Sequence, residues 1–177
     1  MPLPKFSDKQ ISQIAGFVGS YIAEQREMFA KKAQSISDDH RRKLEPFFPA
    51  ALLSKVRVVQ GRATEPSFYP LLKIMGIRHA PAFSDMAGIT FQDVIVHAEE
   101  LSEQLLFHEL VHVVQYEHLG LQGFSERYVR GFLVGGSYEA IPLEKQAYEL
   151  EARFASDPNL QLSVDADVQE RIRANLL

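Results

Sequence analysis

The chain has 177 residues, of which 46% are hydrophobic and 24% charged, and a formal net charge of −4. That size and balance suit a globular chain with a core of its own, and the mild acidity gives no basis for nucleic acid or an anionic membrane as partner. With no cysteine present, disulfides and thiolate metal sites are excluded, so any metal has to be held by His, Asp or Glu.

The N-terminus does not read as a secretory signal, because Asp8, Gln10, Ser12 and Gln13 interrupt its apolar residues. No run reaches the roughly 18–20 apolar residues of a membrane span. The expected location is therefore the cytoplasm. Residues 8–34 carry Ile11, Ile14, Ala15, Val18, Ile22, Met28 and Phe29 at helical spacing, with Ser7 and Gln10 placed as a capping box. A short helix is expected over 37–45, ending before Pro46. "KVRVVQG" (55–61) predicts a strand stopped by glycine, and "PSFYPLLKIMG" (66–76) a short helix. "GITFQDVIVHA" (88–98) predicts a hairpin arm or bent strand, strongest at Val94, Ile95 and Val96. A long helix follows over 101–119, with Gly120 as its C-cap, and residues 124–134 are helical too. "GGSYEAIP" forms a loop, Pro142 opens a helix to about 155, Asp157-Pro158 marks a break, and 165–175 is a last amphipathic helix. The expectation is one mostly helical α+β domain over 1–177, with residues 1–50 as a helical N-terminal layer.

The stretch "LLFHELVHVVQYEHLG" (105–120) holds three of the six histidines. On a helix, residues four apart are separated by about 40° in rotation and ~6 Å along the axis. His108 and His112 can therefore aim both imidazoles at one ion, as a zinc site requires. Glu109 then lies beside the ion, not on it, where it can take a proton from an activated water and pass it to a leaving group. This is the mechanical content of the His-Glu-x-x-His pattern. Leu106, Phe107, Leu110, Val113 and Val114 supply the apolar face on which such a helix packs. No histidine follows His118, so a third ligand has to be a carboxylate. "PLEKQAYELEARFA" is its source: Glu144 is favoured, because Ala147 three residues on permits close helix approach, and Glu139, Glu149 and Glu151 are rivals. Gln115, seven residues after His108, shares that face and can hydrogen-bond a ligand.

"HELVH" followed by a Glu-x-x-Ala segment on a separate helix resembles the zincin metallopeptidases of the glutamate-ligand branch, the gluzincins. "FHELVHVVQYEHLG…F…Y…Y…IPLEKQAYE" is more closely similar to small bacterial metallopeptidases with minigluzincin-type domains. The resemblance covers roughly residues 86–155, and the Asn-Glu-x-x-Ser-Asp form of larger family members is absent. It implies a zincin-like core with a small sheet whose edge strand precedes the active-site helix. It also implies Zn2+ as cofactor, with His108, His112 and Glu144 as ligands and Glu109 as general base. In such peptidases the edge strand pairs with an extended substrate backbone, and "DVIVHAEE" is the segment expected to do so here.

Peptide hydrolysis also needs a donor for the developing oxyanion. Tyr138 is the first candidate and Tyr128 the second; Gly135 and Gly136 give that loop freedom or serve as plain turn residues. His97 reads as a structural or surface residue, and His118 has no assigned role. The expected activity is a zinc-dependent metallopeptidase acting on a peptide or protein. The competing reading is a zincin-fold binding or regulatory module that holds zinc with little proteolysis. Cleavage preference and oligomeric state are not encoded legibly.

Overall fold

A computed structural model describes residues 6–77, 80–157 and 159–177. It is mostly helical with one small mixed sheet, the α+β class expected from the sequence. Helix α1 (Asp8–Ala30) starts with the capping box of Ser7 and Gln10 and buries Ile11, Ile14, Ala15, Val18 and Ile22. It stops before residue 34 because Gln34–Ser35 pairs as a short strand, β1. Helix α2 (Asp38–Leu44), capped by Ser37, is followed by a short helix without a sequence prediction, α3 (Ala50–Lys55). Strand β2 (Arg57–Gln60) and helix α4 (Tyr69–Ile74) lie inside the expected spans. The 88–98 segment is a hairpin of β3 (Gly88–Phe91) and β4 (Val94–His97), turning at Gln92 with φ 60°.

Strand order is β1-β2-β4-β3, with β2 parallel to β4 and the other neighbours antiparallel. This corrects the expected edge. β4, which carries "DVIVHAEE", lies inside the sheet, and the edge strand on its side is β3, one hairpin arm earlier, with β1 at the opposite edge. The physical reason is burial on both faces. Val94 and Val96 join one apolar cluster with α1, while Ile95 joins a second with α2, α3 and the motif helix. An unbroken apolar run of that kind belongs to a strand covered on both sides.

The motif helix is longer than expected. Helix α5 spans Glu103–Gly135, capped by Ser102, and is bent at Gly120, whose φ 66° and ψ 171° are open only to glycine. Gly120 does end the first helical segment, but a second follows it with no loop between them. The true left-handed cap is Gly136, with φ 78°. A single 3-10 turn at Tyr138–Ala140 leads into α6 (Pro142–Ser156), which opens on Pro142 and packs along α5. The expected break falls where α6 ends at Asp157; Pro158 lies outside the described residues. Helix α7 (Val164–Arg173), capped by Ser163, lays the fully buried Val164 and Val168 into the second cluster.

Asp93, in the hairpin turn, ties the sheet to its cover. Its carboxylate takes Arg26 Nε at 2.8 Å and Nη2 at 3.0 Å from α1, and Arg57 Nη2 at 3.1 Å from β2. Partial burial alone would raise its pKa, but these two guanidinium partners outweigh it and hold the carboxyl below the usual range. Stability from this clamp is present above the unfolded value of about 3.9 and is lost as pH falls through the lower folded value. Asp93→Ala is expected to destabilise the fold by about 1–2 kcal/mol in urea denaturation at pH 7, and the difference should vanish in strong acid.

Candidate metal centre

The first segment of α5 is buried on nearly every side, and its polar residues are turned toward α6 and β3. His108, Glu109 and His112 are 5%, 3% and 5% exposed, and Glu144 in the first turn of α6 is 3% exposed. Ala147 is fully buried against the motif helix, so the close approach expected of a small residue is present.

His108 Nε2 and His112 Nε2 lie 3.2 Å apart. Glu144 Oε2 is 3.5 Å from the first and 3.4 Å from the second. Three ligands of a tetrahedral ion at about 2.0–2.1 Å stand roughly 3.3–3.4 Å from one another. The spacing of the three atoms thus matches a triangular face of such a site, and the three residues could hold a metal ion. Glu144 Oε2 is buried and has no hydrogen-bond partner, a costly state for a carboxylate oxygen that a bound cation would relieve.

The far sides of both imidazoles are occupied by acceptors. His108 Nδ1 lies 3.0 Å from Glu151 Oε2, and His112 Nδ1 lies 2.8 Å from Gln115 Oε1. Each Nδ1 is therefore the donor, and in the neutral rings both Nε2 lone pairs face each other and Glu144. Without an ion, protons answer the same demand. Burial disfavours a charged His108, but Glu144 and Glu151 outweigh it and push its pKa up to about 10. His112 is raised as well, against its desolvation, chiefly by Glu144. Burial alone would raise Glu144, yet the two facing imidazoles hold it well below the usual carboxylate range.

Glu109 stands beside this triangle and is not one of its three donors. Its Oε2 lies 2.7 Å from Thr90 Oγ1, and a Cβ built on Gly88 would come within 2.6 Å of its Oε1. Strand alternation puts Gly88 and Thr90 on the same face of β3, toward α5, so the edge strand both leaves room for this carboxylate and holds it. Burial raises the Glu109 pKa against the opposing pull of His108, His112 and Thr90.

An open cleft of about 550 Å3 leads from solvent to His108 and Glu109, with Gly88, Tyr138, Tyr148 and Glu151 on its walls. Behind it a cavity of about 40 Å3, lined by aromatic side chains including Tyr116, Phe124 and Tyr128, reaches His112 and Glu144. Tyr138 borders both spaces. Burial, and next Glu144, raise the pKa of the Tyr138 and Tyr128 hydroxyls far above their ordinary value, so both stay protonated donors.

The structure therefore brings His108, Glu109, His112, Tyr138 and Glu144 together. Among the rivals for third ligand, Glu151 supports His108 from behind, Glu139 is on the cleft wall, and Glu149 pairs with Arg171 at 2.7 Å on an exposed surface. Gln115 hydrogen-bonds the far side of His112, one of the three residues that could hold a metal ion. His97 Nδ1 meets the Glu99 carbonyl at 2.6 Å and His118 meets Asp165 at 2.7 Å, both outside the cluster. Gly135 is helical, and a Cβ there would meet Ala140 Cβ at 2.4 Å; it serves close packing of the Tyr138 turn. The sequence did not single out Thr90, Tyr148 or Gln146. Tyr148, whose ring centroid is 4.5 Å from that of His108, lies four residues after Glu144 and was legible as sharing its face.

The family model described as the eCIS core domain matches residues 35–120. The match takes in β2 to β4 and the first segment of α5, with Thr90, His108, Glu109 and His112, and stops before Tyr138 and Glu144. No match was found among curated proteins or among solved structures.

Proposed function

We propose that this protein is a zinc-dependent metallopeptidase that hydrolyses peptide bonds in an extended polypeptide. The observation that carries the reading is the convergence of His108 Nε2, His112 Nε2 and Glu144 Oε2 at tetrahedral spacing, with the Glu109 carboxylate beside them and open to a cleft. Two imidazoles and one carboxylate are the donor set of catalytic zinc sites that keep a position free. Zinc held by His108, His112 and Glu144 would supply Lewis acidity, for activation of a water near neutral pH and polarisation of the substrate carbonyl.

The chain's own groups supply the remaining steps. Glu109 accepts the proton of the attacking water and delivers it to the departing amine, a task suited to a carboxylate whose pKa burial has raised. Tyr138 donates its hydroxyl hydrogen to the developing oxyanion. The outward backbone groups of β3 at Gly88 pair with the substrate as an added strand, since Ala87, at the alternate register, already accepts from Ala98 N at 2.8 Å. The position of the eCIS core match, which includes the sheet and motif helix, supports treating these two elements as one unit.

The test is metal analysis of protein purified without a histidine tag, followed by incubation with an unstructured protein. Near one equivalent of zinc is expected, with cleavage that a chelator abolishes and added zinc restores. Zinc that does not depend on His108 and His112 would sink the site. Bound zinc without cleavage would favour the binding-module reading over the peptidase. Within an active enzyme, Tyr138→Phe is expected to lower kcat by roughly 10²–10³-fold with zinc content unchanged. Equal kcat would remove Tyr138 from the mechanism.

A further inference from the structure

We infer that Asp167, Gln146 and Gln115 form a directional hydrogen-bond chain from helix α7 to His112, which fixes the tautomer and orientation in which His112 offers Nε2 to a metal. The inference rests on the metal-centre reading above and extends it to a helix far from the motif in sequence.

The direction is set at the α7 end. Asp167, paired with Arg171 Nε at 3.0 Å, receives Gln146 Nε2 at 2.7 Å. A carboxylate only accepts, so the nitrogen of the Gln146 amide has to face α7 and its oxygen has to face inward. That oxygen accepts from Gln115 Nε2 at 2.9 Å, and the other hydrogen of the same amide goes to the Leu143 carbonyl at 3.0 Å. With both of its hydrogens committed, Gln115 can present only Oε1 to His112 Nδ1, 2.8 Å away. An acceptor there requires the Nδ1–H form, which leaves the Nε2 lone pair facing His108 and Glu144.

Gln115 and Gln146 are both fully buried. Two buried glutamines that merely satisfied each other would need no fixed direction. Here each amide has one orientation consistent with its neighbours, and the reversed chain would set Gln146 Oε1 against Asp167. His108 is served differently, by the single carboxylate of Glu151. Asp167, Gln146 and Gln115 are positioning residues, since only His112 among this set would touch the ion.

The experiment compares wild type with Gln146→Leu and with the pair Asp167→Ala and Asp167→Asn. The pair covers the case in which Gln146→Leu does not fold, because Asp167 lies on the partly exposed side of α7. Two quantities are read: zinc affinity by chelator competition, and the tautomer of His112 by nitrogen NMR of metal-free protein made alkaline enough to neutralise the ring. Gln146→Leu and Asp167→Ala are expected to weaken zinc by about 10–100-fold and to let the Nε2–H form appear. Asp167→Asn, whose side-chain oxygen still accepts, is expected to restore both. Affinity within twofold of wild type and an unchanged Nδ1–H tautomer in the disrupting variants would overturn the inference. Should wild type bind no zinc, the metal reading fails on its own, and the tautomer still decides for or against the chain.

Discussion

Glu109→Gln should remove peptide hydrolysis, by roughly 10²–10⁴-fold or more in kcat, while leaving zinc content and fold intact. Glu109 is outside the triangle of ligand atoms, so its loss does not thin the donor set. Glutamine has the same shape, fits the space left by Gly88 and can still accept from Thr90 Oγ1 through its amide oxygen. It cannot take up and return a proton at this position. Burial already disfavours a charge on Glu109, so a neutral replacement costs the fold little. The informative measurement pairs turnover of an unstructured protein with zinc per chain on the same preparation. Undiminished turnover in the variant would show that some other group moves the proton.

Glu144→Ala should abolish stoichiometric zinc. Two imidazoles at 3.2 Å remain, but no carboxylate completes the set, and no rival stands where it could substitute. Glu149 is turned to Arg171, and Glu151 is already engaged behind His108. Glu149→Ala and Glu139→Ala should therefore retain the metal, whereas Glu151→Ala should weaken it by about 10–100-fold through the loss of support for His108. Thermal unfolding gives a second readout. Zinc at 100 times its Kd stabilises a folded chain by about 2.7 kcal/mol, and that increment should be missing from Glu144→Ala. Because loading displaces protons that Glu144 and Glu151 keep on His108, apparent affinity in wild type should rise with pH through the neutral range. Retained stoichiometric zinc in Glu144→Ala would move the third ligand elsewhere.

The histidine pair and Glu109 were legible because a helix translates a four-residue interval directly into shared direction. Glu144 was not uniquely legible. Four glutamates lie between residues 139 and 151, and only the rotation of α6, set by burial of Leu143, Ala147 and Leu150, decides which of them faces the histidines. The edge strand was misplaced although a signal existed. Val94-Ile95-Val96 is apolar without alternation and so belongs inside a sheet, while Gly88 and Thr90 alternate with larger apolar residues. What no local pattern supplies is the parallel joining of β2 to β4, which leaves β3 on the outside, or the meeting of Gln115, Gln146 and Asp167 from three helices. Such contacts depend on how elements pack, and glutamines carry no periodic mark.

The bend at Gly120 has a consequence for length variation. A loop between helices can gain or lose a residue and leave each helix where it was. Here the second segment of α5 leaves the first directly, so one residue more or fewer would turn everything beyond it by about 100°. Phe124 and Tyr128 would swing off the cavity wall, and the Tyr138 turn and Glu144 would be carried away from the histidines. The interval between His112 and the cap at Gly136 acts as a ruler: related chains that keep this centre should tolerate substitutions within it far better than insertions.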